Sequence, residues 1–227
     1  MYVFMKKAKQ TSESIELGIL LAISGGLMDA YSYLLRGQVF ANAQTGNILL
    51  FGVFLSQGKF ETSLRYLFPV IAFTLGIAIA ESIRFDTQKK VHWRQVSLLF
   101  EILILFLVAF IPLKYNMIAN SLTSFACGIQ VQSFRKIHGN SYATTMCIGN
   151  LRSGASWILS YLRSHKTKDL EKGSIYFLII LCFVIGAIFG NQLIPLFGTY
   201  SILCSCLLLF ISFIVMFIDR EKEDCQK

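Results

Sequence analysis

The stretch LGILLAISGGLMDAYSYLL, residues 17–35, decides the fold of this protein. Asp29 is its one charged residue, and a helix needs about 20 mostly apolar residues to cross the hydrocarbon core of a bilayer. Lysines precede the stretch, as in a secretory signal peptide, but no small-residue cleavage site interrupts it. We therefore expect a retained membrane-spanning helix that carries one carboxylate.

The composition of the whole chain indicates lipid as its surroundings. Of 227 residues, 55% are hydrophobic and 15% are charged, with a mean hydropathy of +0.60, whereas soluble domains carry about a quarter charged residues. The net charge is +8, but Lys and Arg lie at the ends of apolar stretches, which is typical of topology signals and not of a nucleic-acid-binding surface. We predict a single integral membrane domain over residues 1–227, with the lipid bilayer and not nucleic acid as its partner.

Further apolar stretches predict an all-α, polytopic membrane helix bundle. Five more are long enough to span a bilayer, namely 64–83, 96–113, 116–134, 174–193 and 200–218. Two others, 39–55 and 142–162, are interrupted by polar residues and glycine. The chain therefore either crosses the membrane eight times, or crosses it six times with two broken or re-entrant segments.

The distribution of Lys and Arg favours the second topology. With two re-entrant segments and the N-terminus inside, 16 Lys and Arg lie on the cytoplasmic side and 4 outside. With eight crossings the division is 13 to 7, and Arg152 is left out of both counts. Because cytoplasmic loops carry an excess of Lys and Arg, we predict six full spans, two broken or re-entrant helices, and both termini in the cytoplasm.

The two halves of the chain carry the same features in the same order, which indicates internal repeats at residues 15–113 and 116–218. The first has Gly26, Arg36-Gly37-Gln38, Phe40-Ala41 and Thr45-Gly46-Asn47; the second has Gly128, His138-Gly139-Asn140, Tyr142-Ala143 and, after a one-residue insertion, Ile148-Gly149-Asn150. Three crossings per half would invert one repeat relative to the other, as in many transporters, whereas four would make them parallel. In both arrangements the two Gly-Asn elements approach one another.

Two motifs in the first half carry a resemblance to a known family. The strings GGLMDAY at 25–31 and FANAQTGN at 40–47 resemble the YoaK-like family of bacterial membrane proteins, which is catalogued as domain of unknown function 1275. The resemblance covers residues 18–218. In the second half Thr144-Thr145 match the family's T-T-x-x-T-G pattern, but Ile148 replaces the threonine before Gly149. The resemblance implies a multi-span protein of the bacterial inner (cell) membrane and supplies no substrate.

The Thr45-Gly46-Asn47 element is the first candidate for chemistry. Non-helical chain at membrane depth has to line a cavity or be buried in protein, because lipid cannot satisfy its backbone groups. We expect Thr45 to be the N-cap of a helix whose freed amides attract an anion or a polar group. The alternative is a packing motif, in which small residues and amide side chains join helices.

Asp29 is the second candidate, because a carboxylate at the centre of a span costs about 2.5–3.5 kcal/mol and should face protein or water. Arg152 is the one Lys or Arg well inside a predicted membrane segment. We hypothesise that Asp29 and Arg152 interact across the repeat boundary, as a pair or as successive contacts for a solute. Glu81 and Glu101 are weaker candidates, for proton coupling, and we expect both to lie near cytoplasmic loops at the ends of their spans, where water is available. Gln130 and Gln132 either bind a solute or join helices.

The sequence does not indicate catalysis or a cofactor. The three histidines and six cysteines lack metal-ligand spacing, and no nucleotide-binding or nucleophile motif is present. We predict no enzyme activity, no metal and no cofactor. A small intramembrane enzyme, with Asp29 or Glu101 as acid or base, remains an alternative reading.

The leading functional prediction is a transporter or channel-like permease for a small polar or anionic solute, with its site where the two repeats meet. The predicted lining is Asp29, Asn42, Gln44, Thr45, Gly46, Asn47, Gln130, Thr144, Gly149, Asn150 and Arg152. The alternative is a non-transporting scaffold or regulatory protein in which the repeat only packs helices. Gly186 and Gly190 form a G-x-x-x-G pattern, which is suited to close packing within the chain or in a homo-oligomer.

Overall fold

The computed structural model describes residues 14–86, 92–137 and 140–216, and these form an all-α bundle, as predicted. Residues 1–13, 87–91, 138–139 and 217–227 lie outside the described residues. These include His138-Gly139 of the predicted repeat motif and the last residues of the predicted second repeat. The helices are α1 (Ile15–Leu35), α2 (Gln44–Ser56), α3 (Phe60–Asp86), α4 (His92–Ala109), α5 (Asn116–Ser133), α6 (Cys147–Ser164), α7 (Thr167–Phe197) and α8 (Leu203–Val215). Two short strands, β1 (Lys136–Ile137) and β2 (Asn140–Ser141), pair antiparallel before α6.

Helix α1 is the central element of the bundle. Ser14 is its N-cap, and the Ser14 Oγ accepts a hydrogen bond from the Leu17 amide at 3.2 Å. The helix packs against α7 and α8 and touches α5, so most of its residues are buried although its sequence is apolar all round. A helix of this kind belongs in the interior of a bundle.

Helices α1 and α7 lie in backbone contact, which their glycines permit. A β-carbon at Gly26 would overlap the carbonyl oxygen of Phe183, and one at Gly186 would overlap that of Ile23. Gly18 lies beside Ile179 and Gly190 beside Ala30, so the two helices run parallel. Small residues are what allow helices to approach this closely.

Helices α3 and α5 form a second pair of the same kind. A β-carbon at Gly76 would overlap the carbonyl oxygen of Phe125, and one at Gly128 that of Phe73. Farther along, Gln132 donates a hydrogen bond to Glu81, so this pair is also parallel. Each pair therefore joins one helix from the first half of the chain to one from the second.

The side chain of Arg36 joins three helix ends at one end of the bundle. Its guanidinium is 1% exposed and donates to the Tyr31 hydroxyl at 2.6 and 2.8 Å, to the Val108 carbonyl at 3.0 Å and to the Asn116 side chain at 3.3 Å. The Asn120 amide donates back to the Arg36 carbonyl at 2.8 Å. The ends of α1 and α4 therefore meet the start of α5, so α5 and its parallel partner α3 run opposite to α1.

The remaining helix directions follow from two contacts. The ring of Tyr200, just before α8, lies 5.7 Å from that of Phe110, just after α4. The thiol of Cys206 in α8 donates to the Ile102 carbonyl in α4 at 3.7 Å. Helix α8 therefore runs opposite to α4. As a result α1, α4 and α7 point one way and α3, α5 and α8 the other.

Helices α2 and α6 both begin inside the bundle. The loop after α1 returns to the level of Gly25, where Asn42 contacts the helix, and α2 then leads to the end at which α3 begins. The 13 residues of α2 extend about 20 Å at 1.5 Å per residue, less than the thickness of a hydrocarbon core. Helix α6 likewise begins near Gly25, beside Thr145, and leads to the end at which α7 begins.

By length and composition, three stretches of the described residues qualify as membrane spans: Ile15–Leu35, Phe60–Arg84 and Thr167–Val215, the last of which includes both α7 and α8. Helix α2 is apolar but short. Large apolar side chains lie exposed along the outside of the bundle in α3, α4, α7 and α8, as in a surface that faces lipid. The predicted total of six full spans stays a prediction.

We predict that Gly186→Ala lowers the stability of the bundle by about 1–3 kcal/mol or more, because the new methyl group overlaps α1 backbone and overpacking costs that much. Gly52→Ala is the matched control, since no atom of the described residues lies within 4 Å of a β-carbon at this helical position. Thermal unfolding of the detergent-purified variants measures the difference. Equal melting temperatures for the two variants would contradict the close α1–α7 contact.

Candidate functional site

The loop before α2 is held by the side chain of Asn47. The Phe40 amide donates to the Asn47 Oδ1 at 3.0 Å, and the Asn47 Nδ2 donates to the Phe40 carbonyl at 2.7 Å and to the Gln44 Oε1 at 2.9 Å. Asn47 is fully buried. Its amide group therefore satisfies backbone groups that neither a helix nor lipid would satisfy.

The loop before α6 is held in the same way by Asn150. The Ala143 amide donates to the Asn150 Oδ1 at 3.2 Å, and the Asn150 Nδ2 donates to the Ala143 carbonyl at 2.6 Å. Each asparagine contacts the residue seven positions before it, so Ala143 corresponds to Phe40. In this pattern Asn42 and Thr145 each lie five positions before the asparagine of their own loop. Asn47 and Asn150 position their loops and have few atoms left for a solute.

Asp29 is buried and caps the first loop from a neighbouring helix. Its Oδ1 accepts a hydrogen bond from the Asn42 amide at 2.7 Å, and the amides of Ala41 and Ala43 also interact with this carboxyl group. The expectation that Thr45 is the N-cap is wrong: α2 begins at Gln44, its N-cap Ala43 makes no side-chain cap, and Thr45 is exposed. The carboxyl group of Asp29 supplies the acceptor that we expected from a threonine.

The two loops meet at Gly25 of α1. The Asn42 Nδ2 donates to the Gly25 carbonyl at 3.2 Å. From the other loop, the Thr145 Cγ2 would lie 2.6 Å from a β-carbon at Gly25. Asn42 and Thr145 lie five residues before Asn47 and Asn150, respectively, so both loops contact one residue near the middle of the central helix.

Helix α5 borders the same region. The Gln130 Nε2 lies 3.5 Å from the Leu21 carbonyl, one turn before Gly25, and Gln44 donates to the Ser124 hydroxyl at 3.4 Å and to the Ala41 carbonyl at 2.7 Å. The Cys127 thiol lies 3.9 Å from the Met28 sulfur. The site is therefore built from one helix and one loop of each half.

Several buried polar atoms around Gly25 lack a hydrogen-bond partner among the described residues. They are the Ser24 Oγ, Asn42 Oδ1, Gln130 Oε1, Thr144 Oγ1 and Thr145 Oγ1. A buried polar group without a partner costs about 1–3 kcal/mol. Two of these atoms are amide oxygens, which only accept, and three are hydroxyls, which accept or donate. Each of these oxygens is able to accept a hydrogen bond from a donor group.

Other predicted site residues lie elsewhere. Arg152 is exposed on α6, and no ion pair joins it to Asp29 in the described structure, so the hypothesised pair is not formed. Gly149 is exposed, with nothing within 4 Å of a β-carbon, whereas Gly46 lies against the Phe40 ring. Both residues lie in the first two turns of α6, which begins at Cys147, and both are on its exposed side.

Ser24, Gly25 and Thr145 were not predicted as site residues. Gly25 and Thr145 stood in the quoted motifs, but only contact between the halves distinguishes them from their neighbours. Arg36 was noted only as part of the Arg36-Gly37-Gln38 motif, although it joins three helices. Among the described residues, no group of three or more His, Cys, Asp or Glu side chains is arranged to hold a metal ion.

The fold and the site define a class: an α-helical membrane protein with two interior chain breaks that meet on a central helix. The chain belongs to the family described as "Protein of unknown function (DUF1275)", whose model matches residues 17–215. It is similar to the UPF0700 transmembrane protein YoaK of Bacillus subtilis (strain 168), with 27% identity over 203 residues, 84% of this chain and 88% of the relative. No solved structure matches. The resemblance seen in the two motifs is confirmed.

We predict that Asn150→Ala destabilises the protein by about 1–3 kcal/mol, because it leaves the Ala143 amide and carbonyl without partners. Asn191→Ala is the control, since Asn191 is exposed on α7. Thermal unfolding and the rate of limited proteolysis after Lys136 measure the effect. If Asn150→Ala behaves like Asn191→Ala in both assays, Asn150 does not hold the loop.

Proposed function

We propose that this protein is a membrane permease for a small polar solute, which binds where the loops before α2 and α6 meet at Gly25. The observation that carries the proposal is the convergence of Asn42 and Thr145 on that residue, with unpartnered polar atoms around it. Non-helical chain at membrane depth is tolerated where it is buried or lines a cavity. Transporters with discontinuous helices have their sites at such breaks, between two halves of the chain.

We further propose that the halves are inverted repeats, each with three crossings and one re-entrant helix. The crossings are α1, α3 and α4 in the first half and α5, α7 and α8 in the second. Corresponding helices run in opposite directions, and the glycine contacts of α1 with α7 correspond to those of α5 with α3. The matching hydrogen bonds of Asn47 and Asn150 support the same symmetry.

The proposed orientation places both termini in the cytoplasm of a bacterial cell, with the protein in the inner membrane. The start of α1, the end of α5 and the turn between α6 and α7 lie at one end of the bundle, and this end carries Arg135, Lys136 and the cluster at 163–172. The opposite end carries Lys59 and Lys114. The excess of positive charge belongs on the cytoplasmic side.

The chemistry of the site favours an uncharged or zwitterionic solute over the anion that the sequence also allowed. The amides before α2 already bind the carboxyl group of Asp29, which occupies the place expected for an anion. The amide oxygens of Asn42 and Gln130, whose side-chain nitrogens lie near the Gly25 and Leu21 carbonyls, have no donor among the described residues. An anion would meet a carboxyl group and two acceptors, whereas hydroxyl, amide or ammonium groups would donate to them. We propose no enzymatic reaction.

Cysteine labelling tests the proposed topology. In a variant without native cysteines, Lys59→Cys and Lys168→Cys should react with a membrane-impermeant maleimide from opposite sides, Lys59→Cys from outside the cell and Lys168→Cys only after the membrane is opened. The reason is that these positions lie at the starts of α3 and α7, which correspond in the two repeats and run in opposite directions. Labelling of both positions from one side would indicate eight crossings.

Transport is tested with purified protein in liposomes incubated in a low-molecular-weight cell extract, with mass spectrometry of the liposome contents. We expect enrichment of uncharged or zwitterionic compounds over empty liposomes. Thr145→Val should reduce this uptake about tenfold, the effect of losing one hydrogen bond of roughly 1.4 kcal/mol. Thr45→Val is the matched control, because Thr45 is exposed.

Each outcome of the uptake experiment distinguishes between functions. Enrichment of anions alone would contradict the proposed solute class. No enrichment of any compound by a protein that is folded would contradict transport and favour the scaffold alternative. Equal loss of uptake in Thr45→Val and Thr145→Val would remove Thr145 from the site.

A further inference from the structure

Helix α4 carries a buried acid that the solute site does not use. Glu101 is 0% exposed, and neither carboxyl oxygen has a hydrogen-bond partner among residues 14–86, 92–137 and 140–216. Leu98 and Leu105, one turn away on either side, are also fully buried, so the carboxyl group lies on the inward face of α4. The expectation that Glu101 lies near water at the end of its span is therefore not met.

The described residues around Glu101 offer no charge of opposite sign. Among the described residues, Cys127 of α5 and Cys206 of α8 interact electrostatically with it. The Cys127 thiol points to the Met28 sulfur and the Cys206 thiol to the Ile102 carbonyl. No lysine, arginine or histidine within the described structure forms an ion pair with Glu101. Burying an ionised carboxylate without a partner costs several kcal/mol, whereas burying the neutral acid costs far less.

Cys127 of α5 connects Glu101 with the region of the solute site. Cys127 interacts electrostatically with both Glu101 and Asp29, and its thiol touches Met28, the neighbour of Asp29 in α1. Helix α4 is also joined to α1 through the contact of Arg36 with the Val108 carbonyl. A movement of α4 that brings water to Glu101 would therefore also disturb α1 at the site.

We propose that Glu101 is the proton-binding residue that couples solute movement to a proton gradient. This inference rests on the proposed permease function. In the conformation described here the carboxyl group is neutral and shielded from water. One proton binds a Glu101 oxygen when water reaches it from one side of the membrane, and the same proton leaves to water on the other side; no other bond changes. Intramembrane acids commonly serve as such relays.

The first test does not depend on transport. Infrared spectra of the purified protein at neutral pH should contain the carbonyl-stretch band of an un-ionised carboxylic acid. Glu101→Gln should remove it, whereas Glu81→Gln should not, because Glu81 is half-exposed and interacts with Arg84, Arg135 and Gln132. Asp29→Asn identifies any contribution from the other buried acid. Glu101→Met, of similar volume, serves if Glu101→Gln does not fold. Persistence of the full band without Glu101 would overturn the proposal.

The second test measures coupling. Liposomes that contain the protein and a trapped pH indicator receive the low-molecular-weight cell extract outside, and the internal pH is followed. Wild-type and Glu81→Gln protein should shift the internal pH beyond empty liposomes, and Glu101→Gln should not. A gradient of one pH unit should change solute accumulation by up to about tenfold if one proton moves per solute.

Solute uptake without any proton movement overturns coupling but leaves the permease function standing. An absence of uptake would contradict both the coupling and the permease function. The infrared result would still decide whether Glu101 holds a proton.

Discussion

The structure depends on one constraint: backbone amides and carbonyls inside a membrane protein need partners from the protein itself. The chain leaves helical conformation twice within the bundle, and each time an asparagine seven residues later supplies a donor and an acceptor. Asp29 adds the acceptor that the first loop needs. The breaks are therefore ordered features of the fold, and they bring polar groups to a depth that continuous helices would leave apolar.

Close backbone contact makes the two halves of the chain interdependent. Gly26 and Gly186 let α1 lie against α7, and Gly76 and Gly128 let α3 lie against α5. Each pair joins the first half to the second, so α1 and α5 each pack against a helix from the other half of the chain. A site at Gly25 then necessarily draws on both halves, because the loop that carries Thr145 reaches α1 across this interface.

Asp29 and Glu101, two buried acids of the described bundle, have different surroundings, which suit the different roles proposed for them. Asp29 interacts with backbone amides of residues 41–43, which stabilise negative charge and hold a loop in place. Glu101 has no such donor among the described residues and lies between two helices at Cys127 and Cys206. The first is suited to shaping a binding site. The second is suited to binding and releasing a proton.

The sequence by itself determined that lipid surrounds the protein, that its class is all-α, and where the helices and the breaks lie. These features depend on local composition, namely long apolar stretches, and glycine and asparagine where helices stop. It also singled out Asp29, Asn42 and Gln130 as polar residues at membrane depth. It did not show that Asp29 caps the first loop, that Asn47 and Asn150 are already satisfied, that Arg152 faces outward, or that Thr145 meets Gly25. Those facts were decided only by the tertiary structure, because a buried polar group is defined by the partners that distant parts of the chain bring to it.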